Sequence, residues 1–118
     1  QTKIPVSDVH RTIIDMLNDP AIGGGIQHVA DCLRIYLKRP DRNDGTLIEY
    51  GARLGNRAVF KRLGFLAELN GATELATACK ERLSQGTAKL DPALDCPRLM
   101  TQWRLWVPPS WADGAGGD

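Results

Sequence analysis

Residues Thr46–Leu69, TLIEYGARLGNRAVFKRLGFLAEL, carry the clearest structural signal in the chain. Apolar residues recur there at helical spacing on both sides of Gly55-Asn56. Gly55 can adopt the left-handed conformation that ends a helix, and Asn56 is a suitable N-cap for the next. The stretch therefore predicts two amphipathic helices joined by a tight turn. Their apolar positions are Leu47, Ile48, Ala52 and Leu54, then Val59, Phe60, Leu63, Leu66, Ala67 and Leu69.

Basic residues are concentrated in and before this stretch. From Arg34 to Arg62 the chain has eight Lys or Arg and three Asp or Glu, so the segment is locally +5 although the whole chain is only +1. Arg57, Lys61 and Arg62 are left over from the apolar stripe and are expected on another face of the second helix. Arg57 and Lys61 are four residues apart and share a side, with Arg53 close across the turn. Such a face can align with a phosphate backbone, or it can simply be solvated.

The remainder of the chain predicts further helices and two short strands. The expected fold is α+β and predominantly helical, with about five helices. A short strand is expected at Thr2–Val6, and Gln102–Val107 alternates as a strand does. The other helices are expected at about Val9–Leu17, Ile26–Lys38 and Ala72–Leu83, with a Gly-rich turn after the first. We expect one domain over residues 1–109 and a disordered tail at 110–118.

Composition limits the class of protein. A chain of 118 residues, 42% hydrophobic and 25% charged, is typical of one soluble domain. Its three cysteines are widely spaced without a CxxC, and no signal peptide or long apolar run is present, which favours the cytoplasm and argues against a membrane. His28 and Cys32 lie one helical turn apart beside Asp31, but a zinc site needs further ligands. An exposed histidine and a buried cysteine are favoured, and neither a metal nor a cofactor is predicted.

Catalytic motifs are missing from the sequence. There is no HExxH, GxSxG or P-loop, and His10 and Asp15 fall on different faces of the first helix because five residues rotate it by about 500°. We therefore predict a protein that is not an enzyme. Convergence of His10, His28 and Asp15 in one cleft would favour the enzymatic alternative.

Several blocks together resemble the C-terminal domain of the AbiEi family, the antitoxins and transcriptional regulators of type IV abortive-infection toxin–antitoxin systems. Glu49–Leu69 is similar to the family's EYA-R-LGNRAV-RRLGYLLE pattern, and Val6–Leu17 to its strand-to-helix entry. Leu90-Asp91-Pro92 and Trp103-Arg104-Leu105 resemble its closing LDP and W-R-L segments, and Gly23–Ile26 its GGI. The blocks span nearly all of residues 6–107.

The sequence departs from the family at two positions: His10 stands where Glu is common, and Gly51 where Ala is usual. The winged-helix domain through which the family recognises its operator is missing from this sequence, which begins without Met, so we expect the chain to be part of something longer. The resemblance implies antitoxicity against a nucleotidyltransferase toxin, with a basic surface that assists DNA binding. Operator recognition by this chain alone is expected to be lost or reduced.

These observations lead to a specific hypothesis for the surface. The predicted nucleic-acid contacts are Arg53, Arg57, Lys61 and Arg62, with Arg39 and Arg42 at the rim. The predicted core residues beneath them are Tyr50, Leu54, Phe60, Leu63, Phe65 and Leu66. Trp103 is expected to pack from the last strand onto the central helices, while Trp106 is expected to be partly exposed and to mark an interface. Docking on a protein partner or dimerisation through Trp106 is the alternative function.

Overall fold

A computed structural model of the chain describes residues 9–111. Within that range the helices are α1 (Val9–Asn18), α2 (Ile26–Tyr36), α3 (Asp44–Leu54), α4 (Ala58–Leu69) and α5 (Thr73–Lys80). Three short strands follow, β1 (Ala88–Lys89), β2 (Arg98–Met100) and β3 (Leu105–Val107). β3 is central in the sheet, parallel to β1 and antiparallel to β2. The predicted α+β class with predominant helix is confirmed.

Local sequence explains the α3–α4 pair. Asn43 begins α3, because its side chain accepts a hydrogen bond from the Thr46 backbone N–H at 3.1 Å. Gly55 ends the helix in the left-handed conformation, with φ of 79°. Asn56 Oδ1 then accepts from the Ala58 N–H at 3.1 Å, although by backbone geometry Arg57 is the residue that precedes α4. The predicted helix, tight turn and helix are present.

α4 is the central element of the fold. Every residue from Val59 to Ala67 is buried, so this helix has no solvent face over nine residues. It packs against α1, α2, α5 and β1. The expectation of an amphipathic helix with a separate basic face therefore fails for α4, because neighbouring elements surround it. The largest fully buried side chains in the core are Trp103, Tyr36, Phe65, Ile13, Ile14, Leu17, Leu33, Leu47, Leu63, Leu66, Leu75 and Leu90.

Trp103 packs onto α4, but not from a strand. It lies in the turn at residues 101–104, since Arg104 has φ of 53° and the extended backbone begins only at Leu105. The indole is 1% exposed, and its Nε1 donates to Glu68 Oε1 at 2.9 Å. A side chain at Gly64 would occupy the position of this ring. The C-terminal strand is thus shorter than the predicted Gln102–Val107.

Other expectations need correction. Leu54 is 41% exposed rather than in the core, because α3 ends there and the chain turns at Gly55, which leaves the side chain at the edge of the packed helices. Tyr50 is half-buried, and α2 ends at Tyr36 rather than Lys38. Residues 109–111 form a short helical turn in which Trp111 lies 6.5 Å from Phe65 between ring centroids. The predicted strand Thr2–Val6 and residues 112–118 of the expected tail lie outside the described range.

Candidate nucleic-acid interface

The six basic residues predicted to bind nucleic acid lie in three different environments. Arg39, Arg42 and Arg53 are at the surface in ion pairs, Lys61 and Arg62 are buried, and Arg57 is exposed. Burial and pairing decide how much positive charge each one presents to a ligand.

The three surface pairs follow directly from local spacing. Arg39 and Asp41 form a bidentate pair, with N–O distances of 2.8 and 2.9 Å. Arg42 binds Asp44 in the same way at 2.9 and 2.8 Å.

On α3, Arg53 Nη2 lies 2.8 Å from Glu49 Oε2 one helical turn away. The three carboxylates between Arg34 and Arg62 are thus all paired with arginines. The net charge of +5 in this segment therefore rests on its other five basic residues, which are Arg34, Lys38, Arg57, Lys61 and Arg62. The hydrogen bond and charge of Arg39 lower the pKa of Asp41.

Arg62 is 4% exposed, and its hydrogen bonds connect α4 to α1 and β1. Its Nη1 donates to the carbonyl oxygens of Leu17 at 2.7 Å and Asn18 at 3.2 Å, and its Nε to Lys89 O at 2.9 Å. The first two carbonyls end α1, where the helix carries partial negative charge. Burial lowers the pKa of Arg62, against the opposing effect of Asp91 and then Asp19. The expectation that Arg62 lies on a solvent face is therefore wrong.

Lys61 is only 2% exposed, so the same expectation is wrong for it. The chain after α5 crosses α4 at this point and brings Ser84 to the ammonium group, whose Nζ lies 2.6 Å from Ser84 Oγ. No carboxylate of the described residues pairs with it. Burial lowers the pKa of Lys61, and the positive charges of Arg104 and Arg57 lower it further.

Arg104 joins this group from the other end of the chain. Its Nη1 donates to the Ser84 carbonyl oxygen at 2.6 Å. Among residues 9–111 it is the only non-glycine residue with positive φ, a conformation that costs about 1–3 kcal/mol. Arg57 is exposed and has no hydrogen bond or ion pair with any described residue. Lys61 and Arg104 both contact Ser84, and the charges of Arg57 and Arg104 both act on Lys61. We call Arg57, Lys61 and Arg104 the cationic cluster.

Neither Arg104 nor Ser84 was predicted from the sequence to be a site residue. Neither is close in sequence to α4, so no spacing rule connects them to Lys61. The pairing of Glu49 with Arg53 did have a signal, because acidic and basic residues four apart on a helix attract each other.

The residues named for metal binding or catalysis make separate contacts. His28 Nε2 lies 3.6 Å from Cys32 Sγ, His10 accepts from the Asn43 N–H at 3.2 Å, and Asp15 faces Arg11 at 3.9 Å. Within the described range no group of three or more His, Cys, Asp or Glu is placed to hold a metal ion. Nor is any helix in residues 9–111 long and apolar enough to cross a membrane.

Trp106 is half-buried in β3 and lies opposite Leu99 of β2 in the antiparallel register. Leu99 is 39% exposed, so the two side chains form a small apolar surface on the sheet. A separate open groove of about 630 Å³ lies between α2, the end of α4 and Trp111. Arg34, at its edge, is paired with Asp31 at 3.1 Å.

No protein-family model, curated protein or solved structure matches the chain.

Proposed function

We propose that this chain is an antitoxin and transcriptional-regulator domain of the AbiEi type, which contacts the phosphate backbone of DNA through the cationic cluster. The observation that carries the DNA contact is the arrangement of Arg57, Lys61 and Arg104, three cations without a carboxylate partner among residues 9–111. The antitoxin role rests on the resemblance of the sequence blocks to that family.

Unpaired cations favour phosphate binding for a simple electrostatic reason. A cation that neutralises a phosphate releases condensed counterions, and each such contact adds salt-sensitive affinity. Phosphate binding by Arg39, Arg42 or Arg53 requires that the arginine first leave or share its carboxylate partner. Each of these residues therefore contributes less affinity for phosphate than an unpaired cation does. In this proposal those three form the rim of the contact, and the exposed Arg57 and Arg104 of the cationic cluster form its centre. Lys61, which is 2% exposed, adds its charge to the site. Arg62 is excluded from the contact because its donors are committed to backbone carbonyls.

The proposed partner of the antitoxin activity is a nucleotidyltransferase toxin in the cytoplasm, and the domain itself performs no catalysis. This part of the proposal is tested by co-expression. The chain should restore growth of cells that produce a cognate toxin, and catalytic turnover of the toxin's substrates by the chain alone would contradict it.

DNA binding is tested by fluorescence anisotropy with a 20-bp duplex over a range of salt concentrations. We expect log affinity to fall linearly with log salt, with a slope of about 0.9 per neutralised phosphate. A parallel titration with tRNA shows whether duplex DNA is preferred; equal or tighter binding to tRNA would redirect the proposal to RNA. No binding to either at low salt would refute the nucleic-acid contact.

A matched pair of variants locates the contact. Arg57→Gln and Lys38→Gln each remove one exposed cation that has no ion pair with a described residue. Only Arg57 belongs to the cationic cluster, so its variant should lower the salt slope by about 1 while the Lys38 variant changes it little. Equal losses would mean that positive charge anywhere in this segment suffices.

The exposed pair of Trp106 and Leu99 favours a second candidate function, docking of a protein partner or of a second copy of the chain. The molar mass in solution should then exceed that of one chain, and Trp106→Ala should return it to the monomer. A monomeric wild-type protein that also captures no toxin would exclude this alternative.

A further inference from the structure

We infer that the cationic cluster is a discrete site for one phosphate group, with Lys61, Ser84 and Arg104 as its principal ligands. This rests on the proposed function in one respect, since the phosphate of a DNA backbone is one source of the group. Free phosphate or a phosphomonoester is the other source, and the site can exist for either.

Hydrogen-bond donors from two side chains converge at Ser84. Lys61 Nζ and Arg104 Nη1 both lie 2.6 Å from oxygens of the same residue, Ser84. The ammonium has three N–H donors and the guanidinium five, so most of these donors make no hydrogen bond to any residue from 9 to 111. The Ser84 hydroxyl accepts from Lys61, which leaves its own hydrogen free to donate. A tetrahedral anion with three or four oxygens matches donors that approach from several directions.

The loop that carries Ser84 adds backbone donors. The N–H groups of residues 84–87 make no hydrogen bond to any described residue. Gly86 stands in open space, with no atom within 4 Å of the position that a Cβ would take. Backbone N–H groups of such loops can bind phosphate directly, alongside the side chains.

The positive charge around Lys61 also favours an anionic ligand. A nearly buried ammonium close to two guanidinium groups, with a neutral hydroxyl as its only hydrogen-bond partner among residues 9–111, is unfavourable unless an anion compensates it. The neighbouring Arg62 shows the contrast, because three carbonyl oxygens receive its donors. A phosphate of one or two negative charges would offset part of the positive charge of the cluster, and a neutral ligand would offset none of it.

The backbone of Arg104 is in the left-handed conformation, with φ of 53°. A left-handed conformation at a non-glycine residue persists only where its surroundings hold it. Here the residue donates from its N–H to Thr101 O at 3.3 Å and accepts from the Ala88 N–H at 3.1 Å. Glycine would satisfy the same backbone bonds without strain, whereas arginine also places a guanidinium nitrogen 2.6 Å from the Ser84 carbonyl oxygen.

The experiment compares Lys61→Met and Arg104→Gly with Lys38→Met as the control. Methionine keeps most of the buried volume of lysine without its charge, and glycine relieves the left-handed strain. The thermal midpoint is measured against inorganic phosphate at constant ionic strength, with chloride as the replaced anion. Wild type and Lys38→Met should show a saturable rise. In the other two variants we expect phosphate affinity to fall about tenfold or more, the effect of losing a charge-assisted hydrogen bond.

Without phosphate, both cluster variants should have a thermal midpoint equal to or above that of wild type, which separates loss of the site from loss of folding. Should Lys61→Met unfold, the response of Arg104→Gly decides the matter. A saturable phosphate response that both folded variants retain would overturn the inference, as would a wild-type protein that shows none.

Salt titration with the 20-bp duplex separates the two sources of phosphate. If DNA is the source, Lys61→Met should lower the salt slope by about 1. Phosphate binding without DNA binding supports the site and refutes the proposed function. DNA binding that depends on Arg57 but not on Lys61 or Arg104 supports the proposed function and refutes the site.

Discussion

Lys61 and Arg62 are adjacent on α4 and both are buried, yet their surroundings differ in kind. Arg62 donates to three backbone carbonyls from α1 and β1 and thereby joins these elements to the central helix. Lys61 donates to one hydroxyl and lies near two further cations. The charge of Arg62 is satisfied by acceptors of the protein itself, whereas Lys61 keeps N–H donors that can bind an anionic ligand.

This difference shows how burial and function can be separated. A buried cation whose donors are satisfied internally contributes to folding, because its removal leaves acceptors without partners. A buried cation with spare donors and like-charged neighbours opposes folding slightly and becomes favourable when an anion binds. The first and third of the following measurements test this difference between Lys61 and Arg62 directly, and the others test the packing and the charges elsewhere in the fold.

The largest effect is expected from Arg62→Met. It leaves the carbonyls of Leu17, Asn18 and Lys89 without their donor, and we expect a loss of about 3 kcal/mol or more in the free energy of unfolding. Lys61→Met in phosphate-free buffer should be neutral or stabilising, because only one hydrogen bond is lost and a desolvated charge is removed. Urea unfolding of both variants measures the difference. Similar destabilisation by the two changes would show that Lys61 is structural as well.

A smaller loss is expected from Gly64→Ala. The new methyl group would occupy the position of the buried Trp103 ring, and overpacking of this kind costs about 1–3 kcal/mol. Because Trp103 precedes Arg104, moving the ring should also disturb the cationic cluster and weaken phosphate binding. Gly86→Ala is the control for stability alone, since its methyl group meets no atom within 4 Å. Wild-type stability of Gly64→Ala would contradict the observed packing of Trp103.

The pH dependence of stability gives a third, smaller effect. Because the pKa of Lys61 is lowered from 10.5 in the folded protein, the unfolded chain binds more protons between the two pKa values, and this lysine makes stability rise with pH there. The stability of Lys61→Met relative to wild type should therefore be greatest below the folded pKa of Lys61, and it should shrink as the pH rises through that pKa toward 10.5. A difference that stays constant with pH would exclude a lowered pKa.

Two other groups titrate in this alkaline range but cancel in that comparison. Burial raises the pKa of the Cys79 thiol from 9.0 to about 12, and burial is also the main cause that raises the pKa of Tyr36 from 10.0 to about 12. Their folded pKa values are higher, so stability from these groups is lost as the pH rises above 9 and 10 respectively. Both residues are present in wild type and in Lys61→Met, and the subtraction removes their contribution.

The smallest effect is expected from Glu49→Gln, which frees Arg53. An exposed pair one helical turn apart contributes about 0.3–0.5 kcal/mol, so the free energy of unfolding should fall by about that amount. Arg53 was predicted to contact nucleic acid, and without its carboxylate partner it should raise the affinity for the 20-bp duplex at low salt. Unchanged affinity would place Arg53 outside the path of the DNA.

Local signals in the sequence were sufficient for much of the fold. The α3–α4 pair followed from apolar periodicity and from the conformational freedom of Gly55, which act within a few residues. The predominance of helix and the packing of Trp103 onto α4 were also predicted correctly, although Trp103 lies in a turn and not in the predicted strand. The prediction that Leu54 belongs to the core was wrong, because periodicity indicates which side of a helix is apolar but not whether another element covers its last turn.

The sequence by itself determined that two helices meet at Gly55-Asn56 and that positive charge is concentrated between Arg34 and Arg62. Only the tertiary structure decided which of those charges face a ligand. Because α4 is surrounded, Arg62 meets carbonyls from α1 and β1, while the chain after α5 brings Ser84 to Lys61. Arg104 joins them through the turn before β3. These contacts link residues far apart in sequence, and no local pattern specifies which segments meet when the chain folds.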